Sequence, residues 1–207
     1  MSKYLWTKKH GDNYRQIYDK LSFKKIQDLT DSVQLHNYQV SQYPFFLLDC
    51  LEQIKEKTLR VAELGGYDGY QALTVMESIK KQFTWTNFDI SKISKQITQK
   101  ELTNKDYRFT YLTQPFYKTQ INEEFDLFYS SKMLEHIKLA EVLETLRHMR
   151  HCKYQIHIVD WFKNDDMHVI EQGSHKPIAE HLKSLGYKLN VEAEYSASSI
   201  FFAEKQQ

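Results

Sequence analysis

Along this chain the spacing of apolar positions changes character near residue 58. Before that point it is helical: Tyr14, Ile17, Tyr18 and Leu21 share one face, and Asp12 or Asn13 stands where an N-cap belongs. A second helical stretch meets Pro44, which breaks or kinks it just after Tyr43, because proline lacks an N–H and its ring crowds the preceding turn. The pattern resumes through Phe45, Leu48, Leu51 and Ile54. From Leu59 onward, short apolar runs alternate with helical segments. Strands are expected at 59–64, 83–89, 107–112, 125–129 and 153–159, and helices at 69–81, 91–101, 135–150 and 175–185. Such alternation implies an α/β fold, a parallel sheet covered on both faces. The last two runs, 187–195 and 199–204, are separated by only a few residues. They form a hairpin, so one of these strands is antiparallel to the rest.

The first strand runs into a glycine cluster. The chain has six glycines, and Gly65, Gly66 and Gly69 fall within one short window. The segment Val61-Ala62-Glu63-Leu64-Gly65-Gly66-Tyr67-Asp68-Gly69-Tyr70 reads as strand, tight turn and helix start. Glycine has no Cβ, so such a turn lets backbone approach a ligand closely. About twenty residues on, the second strand ends at Asp89. A carboxylate at that offset, at the tip of the next parallel strand, suits ribose hydroxyls.

Glu63-Leu64-Gly65-Gly66-Tyr67-Asp68-Gly69 resembles the acid-x-Gly-x-Gly-x-Gly loop of the class I S-adenosylmethionine-dependent methyltransferases. The acid and the outer glycines are kept. Tyr67 replaces the middle glycine, and Gly66 stands one place earlier. The resemblance covers roughly residues 59–205. It implies a doubly wound, Rossmann-like sheet of seven strands with one antiparallel strand near the edge. Residues 1–57 would be a helical cap or lid and 58–207 the core domain. It also implies S-adenosyl-L-methionine as cofactor. The loop amides at Gly65, Gly66, Tyr67 and Gly69 would meet the ligand carboxylate, Glu63 would hold the ammonium, and Asp89 would accept from both ribose hydroxyls, with Ile90 against adenine. Taken alone, Asp89 reads as N-cap of the 91–101 helix; the loop at this offset favours ribose.

Further along, Thr113 and Gln114 stand where many members place an Asp toward the adenine amine. Either has an oxygen able to accept that bond, and a plain turn before Pro115 suits them as well. Ser130-Ser131-Lys132-Met133-Leu134-Glu135-His136-Ile137 resembles the Leu-Glu-His segment of the family's small-molecule branch. Ser130 would lie beside the sulfonium, and Glu135 and His136 would start the next helix on the crevice rim. His136 is the candidate general base, since imidazole titrates near neutral pH; capping and packing that helix is the other role for the pair. A metal-binding variant of this segment carries a Glu where Lys132 stands, so no metal is expected. After the fifth strand, Trp161 and His168 are candidate pocket residues, His168 as a second candidate base. The same stretch also reads as a surface loop, with Ser174 as N-cap of the following helix and Gly186 ending it.

Composition narrows the field. A net charge of +1 argues against long stretches of bound nucleic acid. Cys50 and Cys152 lack metal-ligand spacing and read as reduced thiols of a cytoplasmic protein. The N-terminus has no apolar signal-peptide core, and no apolar run is long enough for a membrane span. The acid- or Asn-Pro-Pro-aromatic run used on exocyclic base amines is absent after strand four, and neither cysteine is placed for cytosine methylation. The Gly-x-Gly-x-x-Gly fingerprint of nicotinamide-dependent oxidoreductases cannot be laid on residues 65–70. The expected function is a cytoplasmic methyltransferase acting on a small-molecule acceptor, at a sugar or secondary-metabolite hydroxyl. The alternatives are a non-catalytic subunit that binds cofactor or a partner, and a protein or tRNA methyltransferase. The oligomeric state is open.

Overall fold

The computed structural model describes residues 46–66, 69–90, 105–160, 175–194 and 198–206. The expected helices before residue 46, the 91–101 helix, Tyr67 and the stretch holding Trp161, His168 and Ser174 lie outside the described residues.

Seven strands form one sheet: β1 (Thr58–Leu64), β2 (Gln82–Asp89), β3 (Tyr107–Tyr111), β4 (Leu127–Ser131), β5 (Tyr154–Asp160), β6 (Tyr187–Glu194) and β7 (Ser198–Lys205). Their order is β3-β2-β1-β4-β5-β7-β6. The first five pair in parallel. β7 is antiparallel to both β5 and β6, because the closing hairpin returns it into the gap between them. The expected sheet, with one reversed strand next to the edge, is the one observed. Strand order reverses between β1 and β4. In an open sheet, that switch point opens a crevice at the carboxyl ends of the strands.

Alternation along each strand feeds two cores. On one face Val61, Trp85, Leu127, Tyr129 and Ile156 pack with a helix covering 46–53 (α1) and with α2 (Tyr70–Ser78). α1 contributes Leu47, Cys50 and Leu51, the i, i+3, i+4 stripe of a helix lying on a sheet. On the other face Leu64, Phe88, Phe128 and Phe201 pack with α3 (Leu139–His148) and α4 (His175–Ser184). Among the described residues no helix is long and apolar enough to cross a membrane.

Two expectations are corrected around β4. The strand lies at Leu127–Ser131 and not at 125–129, because Ser130 and Ser131 continue the ladder opposite His157 and Ile158. The expected 135–150 helix is two pieces. Leu134–His136 is a single 3-10 turn, Ile137 and Lys138 are extended, and α3 starts only at Leu139. A 3-10 turn eclipses positions i and i+3, which lets Leu134 and Ile137 enter the same core, at 0% and 8% exposure.

Candidate functional site

Near the carboxyl ends of three neighbouring strands, Asn87, Glu63 and Tyr129 form one buried row of register partners on β2, β1 and β4. Glu63 is 2% exposed, and its Oε2 accepts a hydrogen bond of 2.8 Å from the indole N–H of Trp85, itself fully buried. Taking a carboxylate out of water costs several kcal/mol unless donors meet it; Trp85 is one such donor. The Tyr129 hydroxyl donates to Gln71 Oε1. Burial, and secondarily the charge of Glu63, push its pKa well up, so it stays a donor at any ordinary pH. The amide of Gln71 in turn approaches Ser131 Oγ at 3.5 Å.

The glycine turn closes over this row. Gly65 takes φ +76°, a conformation that penalises any side chain, and its N–H donates to Phe88 O at 2.9 Å. Gly66 donates to Asn87 Oδ1 at 3.0 Å. A Cβ on Gly66 would stand 2.2 Å from Glu63 Oε2 and 2.9 Å from Asn87 Cγ, so the carboxylate itself fills the space a side chain would need. Gly69 donates to Gly66 O at 2.8 Å and leads into α2. All three glycine N–H groups are therefore engaged inside the protein, where the sequence led us to expect them facing a ligand. What the turn offers the crevice instead is the polar cradle beneath it. Asn87 is fully buried, and its Nδ2 has no hydrogen-bond partner among the described residues. An unsatisfied buried amide costs about 1–3 kcal/mol. A plain strand-to-helix turn needs neither that amide nor a buried carboxylate.

Asp89 ends β2 at 7% exposure, and its carbonyl accepts from Leu112 N at 2.8 Å, fastening the tips of β2 and β3 together. Ile90 is partly buried against the second core. Thr113 and Gln114 are exposed at the tip of β3, and the Gln114 amide donates to Lys118 O at 2.7 Å. Lys132, just past β4, has φ 54°, the left-handed conformation that ordinary side chains avoid. It turns Met133 back over Gly65, where a Cβ would lie 2.7 Å from Met133 Cγ. His136 closes the 3-10 turn that follows; its ring lies outside the described residues. Among the described residues no group of three His, Cys, Asp or Glu side chains could hold a metal ion.

Ser130, expected beside the sulfonium, spends its hydroxyl inside the protein. It is fully buried on the opposite face, with Oγ 2.8 Å from His157 Nδ1. His157 Nε2 lies 3.0 Å from Gln155 Oε1, which can only accept, so Nε2 carries the ring proton and Nδ1 accepts from Ser130. Gln155 donates to the Tyr187 hydroxyl at 3.0 Å, and that hydroxyl donates to Cys152 O at 2.6 Å. The result is a one-directional chain through the core. Burial lowers the His157 pKa to about 3 from 6.5. An unfolded chain takes up a proton below pH 6.5 that the native state refuses. Stability should therefore fall on acidification, by up to ~1.4 kcal/mol per pH unit between about 6.5 and 3. Urea denaturation at pH 7 and pH 5 checks this: His157→Asn should be less stable at pH 7 and lose about one proton's worth of the acid slope.

Trp85, Asn87, Gln71 and Tyr129 were not singled out by sequence. The available signal was Asn87, a polar residue in phase with the inward-facing Phe83 and Trp85 of a central strand.

No family model matches the sequence, and no curated protein matches it. Solved structures match the fold. A S-adenosylmethionine-dependent methyltransferase from Clostridium acetobutylicum ATCC 824 is similar at TM-score 0.65 and 12% identity, over 95% of this chain and 99% of that one. Magnesium protoporphyrin IX methyltransferase from Synechocystis PCC 6803, with bound S-adenosylmethionine, is similar at TM-score 0.64 and 15% identity, over 86% of each chain. The [4+2]-cyclase SpnF is similar at TM-score 0.60 and 12% identity, over 77% of this chain and 80% of that one. The same fold thus carries more than one chemistry, and the site has to decide between them. In architecture, this chain has the Rossmann-like fold of the S-adenosylmethionine-dependent methyltransferases.

Proposed function

We propose that this protein is a methyltransferase that binds S-adenosyl-L-methionine and methylates a small molecule at a hydroxyl oxygen. The observation that carries the reading is the buried Glu63 carboxylate under Gly66, with Asp89 at the tip of the adjacent strand. These residues fit the cofactor's polar ends: Glu63 its ammonium, Asp89 its ribose hydroxyls. Ile90 would flank adenine, and Thr113 or Gln114 would accept from its amine. When bound, the cofactor supplies an electrophilic methyl group on a cationic sulfur. The protein aligns the acceptor oxygen for in-line displacement and excludes water, and His136 or His168 takes the acceptor's proton. A similar fold crystallised with S-adenosylmethionine and with S-adenosylhomocysteine supports the cofactor assignment.

We place the protein in the cytoplasm, on the strength of two free, buried cysteines whose thiols burial pushes up to about 12. A second reading, a non-catalytic subunit that binds a partner, is favoured by the engaged glycine amides, which leave the loop fewer donors for a cofactor.

Asp89→Ala tests the site. Losing hydrogen bonds to a charged acceptor should weaken cofactor affinity by about 1.5–3 kcal/mol, roughly 10- to 150-fold. Isothermal titration of both forms measures it. Unchanged affinity would leave Asp89 as a helix N-cap. Release of S-adenosylhomocysteine in the presence of candidate acceptors separates catalysis from mere binding.

A further inference from the structure

We propose that Trp85 is a positioning residue for the aminoacyl end of the cofactor, acting through Glu63; this rests on the methyltransferase reading above. Trp85 lies inside the sheet's packing and has no path to a ligand of its own. Its ring is fully buried, tilted against Phe83 at a centroid distance of 6.1 Å and edge-on to Tyr129 at 6.2 Å. The indole is therefore locked in one orientation, and its N–H is aimed at Glu63 Oε2, 2.8 Å away. That same oxygen occupies the niche under Gly66, where a Cβ would come within 2.2 Å. Oε2 is thus held twice, by a donor from below and by the shape of the turn above. With Oε2 and Cδ both packed under Gly66, the second oxygen has little freedom left.

The neighbours fit this role. Asn87 ties the turn to β2 through Gly66 N–H at 3.0 Å. Tyr129, on the other side of Glu63, turns its hydroxyl to Gln71, so it does not compete for Oε2. The arrangement holds the carboxylate in advance of ligand, and pre-organised groups lose less entropy on binding.

The test compares two ligands that share adenosine and differ in the aminoacyl part: S-adenosylhomocysteine, which has it, and 5′-methylthioadenosine, which lacks it. Trp85→Phe keeps the ring and removes the N–H. It should weaken S-adenosylhomocysteine about tenfold or more by calorimetry and leave 5′-methylthioadenosine within about twofold. Equal losses on both ligands, or no loss on the first, would overturn the role and make Trp85 a packing residue. In an E63Q background the further loss from Trp85→Phe should shrink. If Trp85→Phe does not fold, the indole N–H resonance of the wild type takes its place, assigned by elimination with Trp6→Phe and Trp161→Phe. It should shift with S-adenosylhomocysteine and stay put with 5′-methylthioadenosine; any other pattern overturns the proposal. A wild type that binds neither ligand overturns the methyltransferase reading itself, a different failure from binding both without discrimination.

Discussion

Replacing His136 by alanine is expected to lower methyl-transfer turnover by about 10²–10⁴-fold, the range for a positioned acid or base, with cofactor affinity nearly unchanged. The expectation comes from its place in the chain. His136 closes the turn that follows β4, beside the switch point of the sheet, while the cofactor's polar ends are assigned to β1 and β2. A base must be neutral to accept a proton, so the pH–rate profile should also lose its acidic limb in the variant. Turnover that survives in His136→Ala but falls in His168→Ala would move the base to the segment after β5. Activity retained in both would mean that the acceptor needs no protein base, as for a carbon, a sulfur or an oxygen already deprotonated.

Gly66→Ala should damage the cradle directly. The added methyl would lie 2.2 Å from Glu63 Oε2 and 2.9 Å from Asn87 Cγ, and both neighbours are buried and bonded. Glu63 would have to swing away and give up its bond to Trp85. Overpacking of this kind costs about 1–3 kcal/mol, and leaving a buried donor unpaired adds to it. Cofactor affinity should fall with it, because the displaced group is the proposed ammonium partner. Gly65→Ala meets Met133 instead, Cγ at 2.7 Å and Cβ at 2.9 Å, and adds the backbone penalty of φ +76°, so it should destabilise the fold without displacing Glu63. Urea melts and titrations of the two variants separate these cases; a Gly66→Ala protein as stable and as tight-binding as wild type would contradict the cradle.

The sheet was legible because each strand is a short apolar run bounded by turn residues, and the closing hairpin followed from the short gap before residue 198. The glycine turn and Asp89 were legible because they are local to two strand ends. The Glu63–Trp85 bond was not. It joins residues 22 apart in sequence, and only the register that sets Val61 opposite Trp85 and Glu63 opposite Asn87 brings them together. Ser130 was misplaced for a related reason. The resemblance of its segment placed it beside the sulfonium, but the ladder carries β4 two residues further and turns the hydroxyl inward, where His157 accepts from it. The break before α3 was hidden because 134–150 is apolar at positions compatible with one helix. The break itself is in the backbone, where Ile137 and Lys138 are extended between the 3-10 turn and α3.

The central claim is that the cradle under Gly66 and the carboxylate of Asp89 hold S-adenosylmethionine. Calorimetric titration of the full chain with S-adenosylhomocysteine, read beside its thermal unfolding, tests it most directly. The account predicts saturable binding with one site per chain, and stabilisation by ~2.7 kcal/mol at about a hundred times the dissociation constant. No heat and no shift in unfolding temperature with either S-adenosylhomocysteine or S-adenosylmethionine would contradict it.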